Sequence, residues 1–201
     1  MGAVGLGKRV FSNYLSRYLL CENRPLAVGS FSCGECDGCA LVQANTHPDL
    51  YVLKPGSDSK FIKIEQVREL REKMRMTAQM QGNKVAVIQP VDQLNESAAS
   101  ALLKLLEEPP ADTHFLLVAD KPQSVLPTIR SRCLPVKFGL PPENALKNFM
   151  ASLFDNREVV ERAIFSSRGF PELALRRLQE LMGQSDLNGT SVASDSGTGL
   201  L

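Results

Sequence analysis

The first two thirds of the chain alternate between helical and extended patterns of apolar residues. Four segments are predicted to be helices: about 8–20, 64–79, 95–106 and 127–132. Four short apolar runs are predicted to be strands: 50–53, 84–88, 114–119 and 134–138. Because strands that alternate with helices form parallel sheets covered on both faces, the pattern favours the doubly wound α/β class.

Beyond Pro141 and Pro142 the apolar spacing is purely helical. Three further helices are predicted: about 143–154, 156–166 and 171–182. From Gly183 onward the residues are small and polar, with too few apolar groups to offset the entropy of ordering. The pattern therefore predicts three parts: an α/β domain over 1–140 with a cysteine-rich module at 21–48, a small helical domain over 141–182, and a disordered tail over 183–201.

The composition is that of a globular protein, because 201 residues that are 43% hydrophobic and 22% charged can bury a proper core. No segment approaches the roughly 18 to 20 apolar residues of a membrane-spanning helix, and the N-terminus lacks the apolar region of a secretion signal. We therefore expect a cytoplasmic protein with no membrane partner. The net charge of +1 gives no overall attraction to nucleic acid, so DNA contacts must come from a local patch or from partner proteins.

The N-terminus contains a glycine-rich loop that leads into the first predicted helix. Gly2, Gly7 and Lys8 fit the G-x-x-x-x-G-K pattern, in which backbone N–H groups hold phosphates and the lysine contacts the β- and γ-oxygens. The next position normally carries Ser or Thr, whose hydroxyl binds Mg²⁺, whereas this chain has the cation Arg9. The loop is therefore either a degenerate nucleotide site or a glycine-rich turn before a helix.

The residues after the predicted strand 84–88 also depart from an ATPase pattern. An Asp that binds Mg²⁺ and a Glu that activates water are expected there, but the chain has Gln89 and Pro90. Glutamine carries no charge for a hard cation and proline cannot act as a base. Hydrolysis of Mg-ATP is thus not expected, and the binding of ATP is in doubt.

The most specific chemical pattern is the spacing Cys21-x11-Cys33-x2-Cys36-x2-Cys39. Four thiolates, three of them on a short glycine-rich segment, can close a tetrahedral zinc site, and a site with four protein ligands is structural rather than catalytic. An iron–sulfur cluster and ordinary reduced thiols are the alternatives, as is a site in which His47 replaces Cys21.

Ser131, Arg132 and Cys133 lie between a short predicted helix and the last predicted strand. The guanidinium of Arg132 is expected at the rim of the sheet. There it either pairs with a carboxylate of the same domain or reaches a phosphate bound elsewhere. Cys133 is predicted to be a buried thiol.

The predicted helix over 64–79 is strongly charged. Its basic residues could follow the phosphates of DNA, but interspersed acidic residues favour a solvated helix face. The basic residues are Lys63, Arg68, Arg71, Lys73 and Arg75, and the acidic residues are Glu65, Glu69 and Glu72.

Taken together, several segments resemble the clamp-loader ATPase family of bacterial DNA polymerase III, over about residues 1–182. These segments are the four cysteines, Thr46-His-Pro-Asp49, Lys84–Ile88, Ser100-Ala-Leu-Leu-Lys-Leu-Leu-Glu-Glu-Pro-Pro110 and Ser131-Arg-Cys133. The resemblance implies an AAA+ module, in which a P-loop α/β domain with a zinc-module insertion is followed by a three-helix lid.

The departures from the family pattern imply a subunit that does not hydrolyse ATP. A motor subunit would carry Ser or Thr at position 9, Asp at 89, Glu at 90 and a lid arginine near Gly169–Glu172, and all four are missing. Arg132 matches the family's arginine finger, which acts in trans on ATP bound to a neighbouring subunit. The resemblance thus implies a stator in a hetero-oligomer with motor subunits, the delta subunit, the sliding clamp and primed DNA.

Whole members of this family also carry a strand before the P-loop and a C-terminal collar domain. We therefore expect the chain to be a fragment of a DNA-directed DNA polymerase (nucleotidyltransferase) holoenzyme subunit, marginally stable alone and poor at forming the pentamer. Two alternatives stay open. One is a zinc-stabilised interaction scaffold with no ATPase-linked role; the other is a nucleotide phosphotransferase, which Arg9, Gln89 and Pro90 all oppose.

Overall fold

The structure is a computed structural model that describes residues 1–24, 32–80, 82–154 and 156–186. It divides into two compact units, Met1–Gly139 and Leu140–Leu201. The helices and strands of the first unit are α1 (Lys8–Leu19), α2 (Asp37–Gln43), β1 (Leu50–Leu53), α3 (Ile64–Arg75), β2 (Lys84–Ile88), α4 (Glu96–Glu107), β3 (Thr113–Leu117) and α5 (Pro127–Arg130).

The three strands form a parallel sheet in the order β1-β2-β3, with Leu50 opposite Val85 and Lys84 opposite Thr113. The central strand β2 is buried along its whole length, and its side chains alternate between two apolar clusters. Ala86 and Ile88 pack with α3 and α4, whereas Val85 and Val87 pack with the ends of α1 and α2. Helices thus cover both faces, and the predicted doubly wound α/β class is confirmed.

The end of α3 differs from the prediction, because the helix stops at Arg75 rather than at 79. The carboxylate of Asp49, which is 1% exposed, accepts hydrogen bonds from the backbone N–H groups of Gln79 (2.9 Å) and Met80 (2.8 Å). These donors would otherwise continue the helix. At the same end the buried ammonium of Lys84 donates to the carbonyl oxygens of Met74 (2.6 Å) and Met76 (2.9 Å). Contacts distant in sequence therefore terminate α3.

Replacing Asp49 with alanine is expected to lower the free energy of unfolding by about 3 kcal/mol, because two backbone donors lose a charged acceptor. Urea unfolding measures this change. Asp58→Ala is the matched control, since the Asp58 carboxylate pairs with Lys63 at an exposed site. Its unfolding midpoint should stay at the wild-type value. Equal unfolding curves for the two variants would contradict the role assigned to Asp49.

The predicted strand over 134–138 is wrong, because no strand forms there in the part of the chain that the structure describes. Its backbone makes two hydrogen bonds with Met1: the Phe138 N–H donates to the Met1 carbonyl oxygen (2.8 Å), and the Met1 amino group donates to the Val136 carbonyl oxygen (2.7 Å). Gly2 donates to Ala119 beyond the end of β3 (3.4 Å). Two hydrogen bonds to one residue are too few to form a ladder.

The second unit contains α6 (Glu143–Leu153), α7 (Arg157–Ser166) and α8 (Pro171–Asp186). Its core includes Leu146, Met150, Ala163 and Leu178. Helix α8 extends four residues beyond its predicted end at 182, and residues 187–201 of the predicted tail lie outside the described residues. Among the described helices, none is both long and apolar enough to cross a membrane.

Candidate metal centre, phosphate loop and exposed arginine

The four predicted metal ligands lie together in the fold. Cys21 follows the end of α1, Cys33 and Cys36 lie on the turn before α2, and Cys39 lies within α2. Their sulfur atoms all lie within 4.8 Å of one another, with Sγ–Sγ distances of 3.5 Å for Cys21–Cys33 and 3.9 Å for Cys33–Cys39. Zinc–sulfur bonds of about 2.3 Å in a tetrahedron place sulfur atoms about 3.8 Å apart. The cluster therefore has the size and donor set of a tetrahedral metal site.

Backbone N–H groups point at three of these sulfur atoms. Cys33, Cys36 and Cys39 donate to the sulfur of Cys21, Cys33 and Cys36 respectively, each at 3.4 Å. The bond to Cys36 also caps the N-terminus of α2, a short helix absent from the sequence prediction. Such donors stabilise thiolate charge, so the turn suits metal-bound sulfur.

The thiols of the cluster differ in pKa. The backbone N–H groups of Glu35 and Cys36 lower the pKa of Cys33 to about 6, whereas burial raises the pKa of Cys21 to about 12. At Cys39 burial opposes ionisation, but the Gly34 N–H and neighbouring side chains outweigh it, and the pKa is lowered. The turn thus lowers the pKa of Cys33 and of Cys39, and the thiolate is the form of cysteine that can bind a metal.

Neighbouring elements fix the cysteine-rich segment to the α/β unit. Arg17 on α1 donates to the carbonyl oxygen of Gly34 (3.4 Å) and to the side-chain oxygen of Gln43 (3.3 Å). Gly38 packs so closely on the end of α1 that a Cβ atom there would overlap the Leu20 carbonyl oxygen. His47 is not part of the cysteine cluster; its Nδ1 accepts a hydrogen bond from the Asp49 N–H (3.1 Å), and burial lowers its pKa.

The candidate phosphate loop holds its lysine in an internal ion pair. Gly7 has the left-handed φ of +76° and precedes α1, in which Lys8 is the first residue. The Lys8 Nζ atom lies 2.8 Å from Asp120 Oδ1, with 4% and 13% of the two side chains exposed, and it also donates to the Ala3 carbonyl oxygen. Arg9 lies at 3.4 Å from the other oxygen of the same carboxylate.

Asp120 is a site residue that sequence reasoning missed. Its position directly after the predicted strand 114–119 was the available signal, since side chains at the carboxyl ends of parallel strands face the ligand sites of α/β folds. Its own N–H donates to Asp92 Oδ1 (2.7 Å), which fixes the backbone that presents the carboxylate. Gln89, at the end of β2, has a buried Oε1 with no hydrogen-bond donor among the described residues.

Arg132 lies just after α5 and pairs within its own unit. Its Nη2 atom is 2.6 Å from Glu107 Oε1, and its Nη1 atom donates to the Thr128 carbonyl oxygen (3.0 Å) and the Ser131 hydroxyl (3.3 Å). The side chain is still 37% exposed. Neighbouring Cys133 is half-buried against the core, and burial raises its pKa. Glu107, which was part of a motif but had no predicted role, is thus the carboxylate that Arg132 meets.

The charged face of α3 is largely neutralised by local ion pairs. Lys63 pairs with Asp58 (2.7 Å), Lys73 with Glu69 (2.6 Å) and Arg71 with Glu72 (3.1 Å). Exposed pairs of this kind are typical of a solvated helix face. The geometry thus favours that interpretation over a basic track for DNA.

Similar folds are found among solved structures of other proteins. The Holliday junction branch migration motor RuvB of Thermotoga maritima has a TM-score of 0.55 at 17% identity, covering 90% of this chain and 52% of that structure. A DNA polymerase III gamma subunit-related protein of the same organism has a TM-score of 0.52 at 19% identity, covering 71% of this chain and 49% of that structure. The parallel sheet, the glycine loop and these likenesses define an AAA+ P-loop fold.

Relatives of higher identity identify the family. The model of the family described as DNA polymerase III, delta subunit, matches residues 1–141. The delta' subunit of DNA polymerase III from Pseudomonas aeruginosa is 41% identical over 177 residues, which are 87% of this chain and 53% of that protein. The Escherichia coli delta' subunit is 39% identical over 176 residues, 87% of this chain and 52% of that protein. The chain belongs to the DNA polymerase III delta' family, and it spans about half the length of these relatives.

Proposed function

We propose that this chain is the AAA+ module of a non-hydrolysing stator subunit in the clamp loader of DNA polymerase III. In the cytoplasm it acts with motor subunits and the delta subunit, and it helps to place the sliding clamp on primed DNA. One observation carries the proposal beyond family membership: Lys8, which would contact the β- and γ-phosphates of ATP, is buried and already paired with Asp120 at 2.8 Å.

The residues in and around the phosphate loop of this chain disfavour the hydrolysis of Mg-ATP. A nucleotide would have to displace the Asp120 carboxylate from Lys8, and Arg9 would repel Mg²⁺ at the position of the usual hydroxyl ligand. Gln89 and Pro90 supply neither a charged metal ligand nor a base. The subunit therefore contributes no Mg-ATP hydrolysis of its own.

Arg132 supplies the chemistry that the subunit contributes to its neighbour. Its guanidinium lies on an exposed turn after α5 and carries a permanent positive charge. Placed at the γ-phosphate of ATP in an adjacent motor subunit, it stabilises the charge that develops on the transferred phosphoryl group. Arg132 is the proposed catalytic residue, acting in trans.

The four cysteines hold a structural zinc ion in this proposal. Cys21, Cys33, Cys36 and Cys39 would complete a tetrahedral shell and leave no open position for substrate or water. When bound, the metal joins the end of α1 to the turn and the first residues of α2, so its contribution is to the stability of the module.

Reconstitution of the full-length subunit with motor subunits, the delta subunit, clamp and primed DNA tests the proposal. The subunit alone is expected to hydrolyse no ATP, to co-elute with the motor subunits and to raise their DNA-stimulated ATPase. Turnover by the subunit alone that is lost in Lys8→Ala would contradict the non-hydrolysing role. Retention of a single unrelated partner without motor subunits would instead support a zinc-stabilised scaffold, a candidate that the cysteine cluster by itself also fits.

A further inference from the structure

We infer that Glu107 is a positioning residue for Arg132, holding the guanidinium in the orientation from which it reaches ATP on the neighbouring subunit. The inference rests on the proposed role of Arg132 in trans. It gives a function to the last residue of α4, whose side chain makes a 2.6 Å ion pair with Nη2 of Arg132.

The contacts of Arg132 fix its orientation without using all of its donors. Nη2 pairs with Glu107, and Nη1 donates to the Thr128 carbonyl oxygen and the Ser131 hydroxyl. Three acceptors on two structural elements thus define the plane of the guanidinium. In the part of the chain that the structure describes, Nε of Arg132 has no partner, so this N–H and the second Nη2 hydrogen can be offered to phosphate oxygens.

Neither helix stability nor folding stability explains a glutamate at this position. A negative charge in the last turn of a helix faces the negative end of the helix dipole, which is unfavourable. The two side chains of the pair are 37% and 46% exposed, and ion pairs between partly exposed side chains add little to the stability of a fold. The pair is therefore better explained by what it does for the orientation of Arg132.

A free arginine side chain samples many rotamers, and binding must order it. Holding the guanidinium in advance reduces this loss of entropy, and a displacement of about 1 Å at a catalytic group can lower a rate up to about a hundredfold. The exposed pair is also weak enough for Arg132 to exchange one hydrogen bond for a phosphate oxygen. Glu107 thus orients Arg132 without trapping it.

Glu108 provides a matched control. It is the next residue in the sequence and caps α4, it is exposed, and it makes no ion pair within the described residues. Glu107→Gln and Glu108→Gln remove the same charge from the same helix end, but only Glu107→Gln removes the ion pair with Arg132.

The test is the ATP dependence of DNA-stimulated hydrolysis by the reconstituted complex. Glu107→Gln is expected to lower the Arg132-dependent part of kcat by roughly three- to tenfold with KM for ATP unchanged, because ordering of the finger is lost while the neighbour's ATP site is intact. Glu108→Gln should match the wild type, and adding Glu107→Gln to Arg132→Ala should lower the rate no further. Thermal midpoints of the variants verify that each is folded.

The possible failures are distinguishable. If Arg132→Ala leaves the rate of ATP hydrolysis unchanged, the proposed role of Arg132 in trans is wrong. The positioning role of Glu107 is then wrong as well. If Arg132→Ala lowers the rate but Glu107→Gln behaves as Glu108→Gln does, only the positioning role of Glu107 is overturned. A rate that rises in Glu107→Gln would also overturn it, since the carboxylate would then restrain Arg132.

Discussion

Arg132→Ala is expected to lower hydrolysis on the order of 10³-fold at the motor site that the arginine is proposed to face. The positive charge proposed to stabilise the transferred phosphoryl group would be missing at that site, while any other ATP site of the complex would be unaltered. The bulk ATPase of the reconstituted complex should therefore fall by the share of one site. Pre-steady-state phosphate release after addition of primed DNA and clamp resolves this loss as a missing burst component.

Arg130→Ala is the matched control for this experiment. Arg130 lies two residues earlier, at the end of α5, and it is exposed and without an ion pair among the described residues. A complex that contains Arg130→Ala should show the full burst. An identical burst in Arg132→Ala would leave the arginine with no role outside its own subunit.

Removal of the proposed zinc ion is expected to destabilise the α/β unit by several kcal/mol, because a structural zinc site contributes its binding free energy to folding. Cys39→Ser should show the same loss, since its side chain is completely buried in the cluster and lies one helical turn before buried Val42. Metal content by elemental analysis should be one zinc ion per wild-type chain. Chelator-treated protein and Cys39→Ser should both unfold at a lower urea concentration than the wild type.

Cys133→Ser is the control for the cysteine prediction. Cys133 is a free thiol outside the cluster, so its replacement should leave the zinc content at one per chain. Cobalt substitution tests the ligand set directly, because four thiolates give strong charge-transfer absorption that Cys133→Ser should leave unchanged. Wild-type protein without stoichiometric metal and indifferent to chelators would show that the cysteines are ordinary thiols, and stoichiometric iron would indicate a cluster instead.

The parts of the fold that were predicted well are those determined by local sequence. Strands β1 and β2 have the predicted bounds, since their apolar runs are flanked by turn residues and β2 is buried on both faces. The clustering of the four cysteines could be expected because C-x2-C-x2-C with a further cysteine nearby is typical of metal-ligating thiols. Helix α2 was missed because the sulfur of Cys36 performs the capping that Ser or Asp usually performs.

The features that were missed depend on contacts between residues far apart in the sequence. Asp49 ends α3 from 30 residues away, and Asp120 pairs with a lysine 112 positions earlier, as their numbering shows. Neither residue belongs to a short pattern that indicates its partner. Glu107 belongs to the segment Ser100–Pro110, which carries part of the family resemblance. Its contact with Arg132 depends on the fold, which brings the ends of α4 and α5 together. Sequence patterns thus indicated the candidate groups, whereas tertiary structure determined which of them pair.

The close fit of Gly38 against the Leu20 carbonyl oxygen indicates which homologues can place the cysteine-rich turn as this chain does. Cysteine spacing alone does not specify that the cysteine-rich turn lies against the end of α1, because an isolated turn with the same spacing could bring its thiols together in the same way. The residue just before the fourth cysteine does specify it, since any side chain there would collide with the backbone of α1. Homologues with a larger residue at this position should carry the turn displaced from the helix, even if all four cysteines are present.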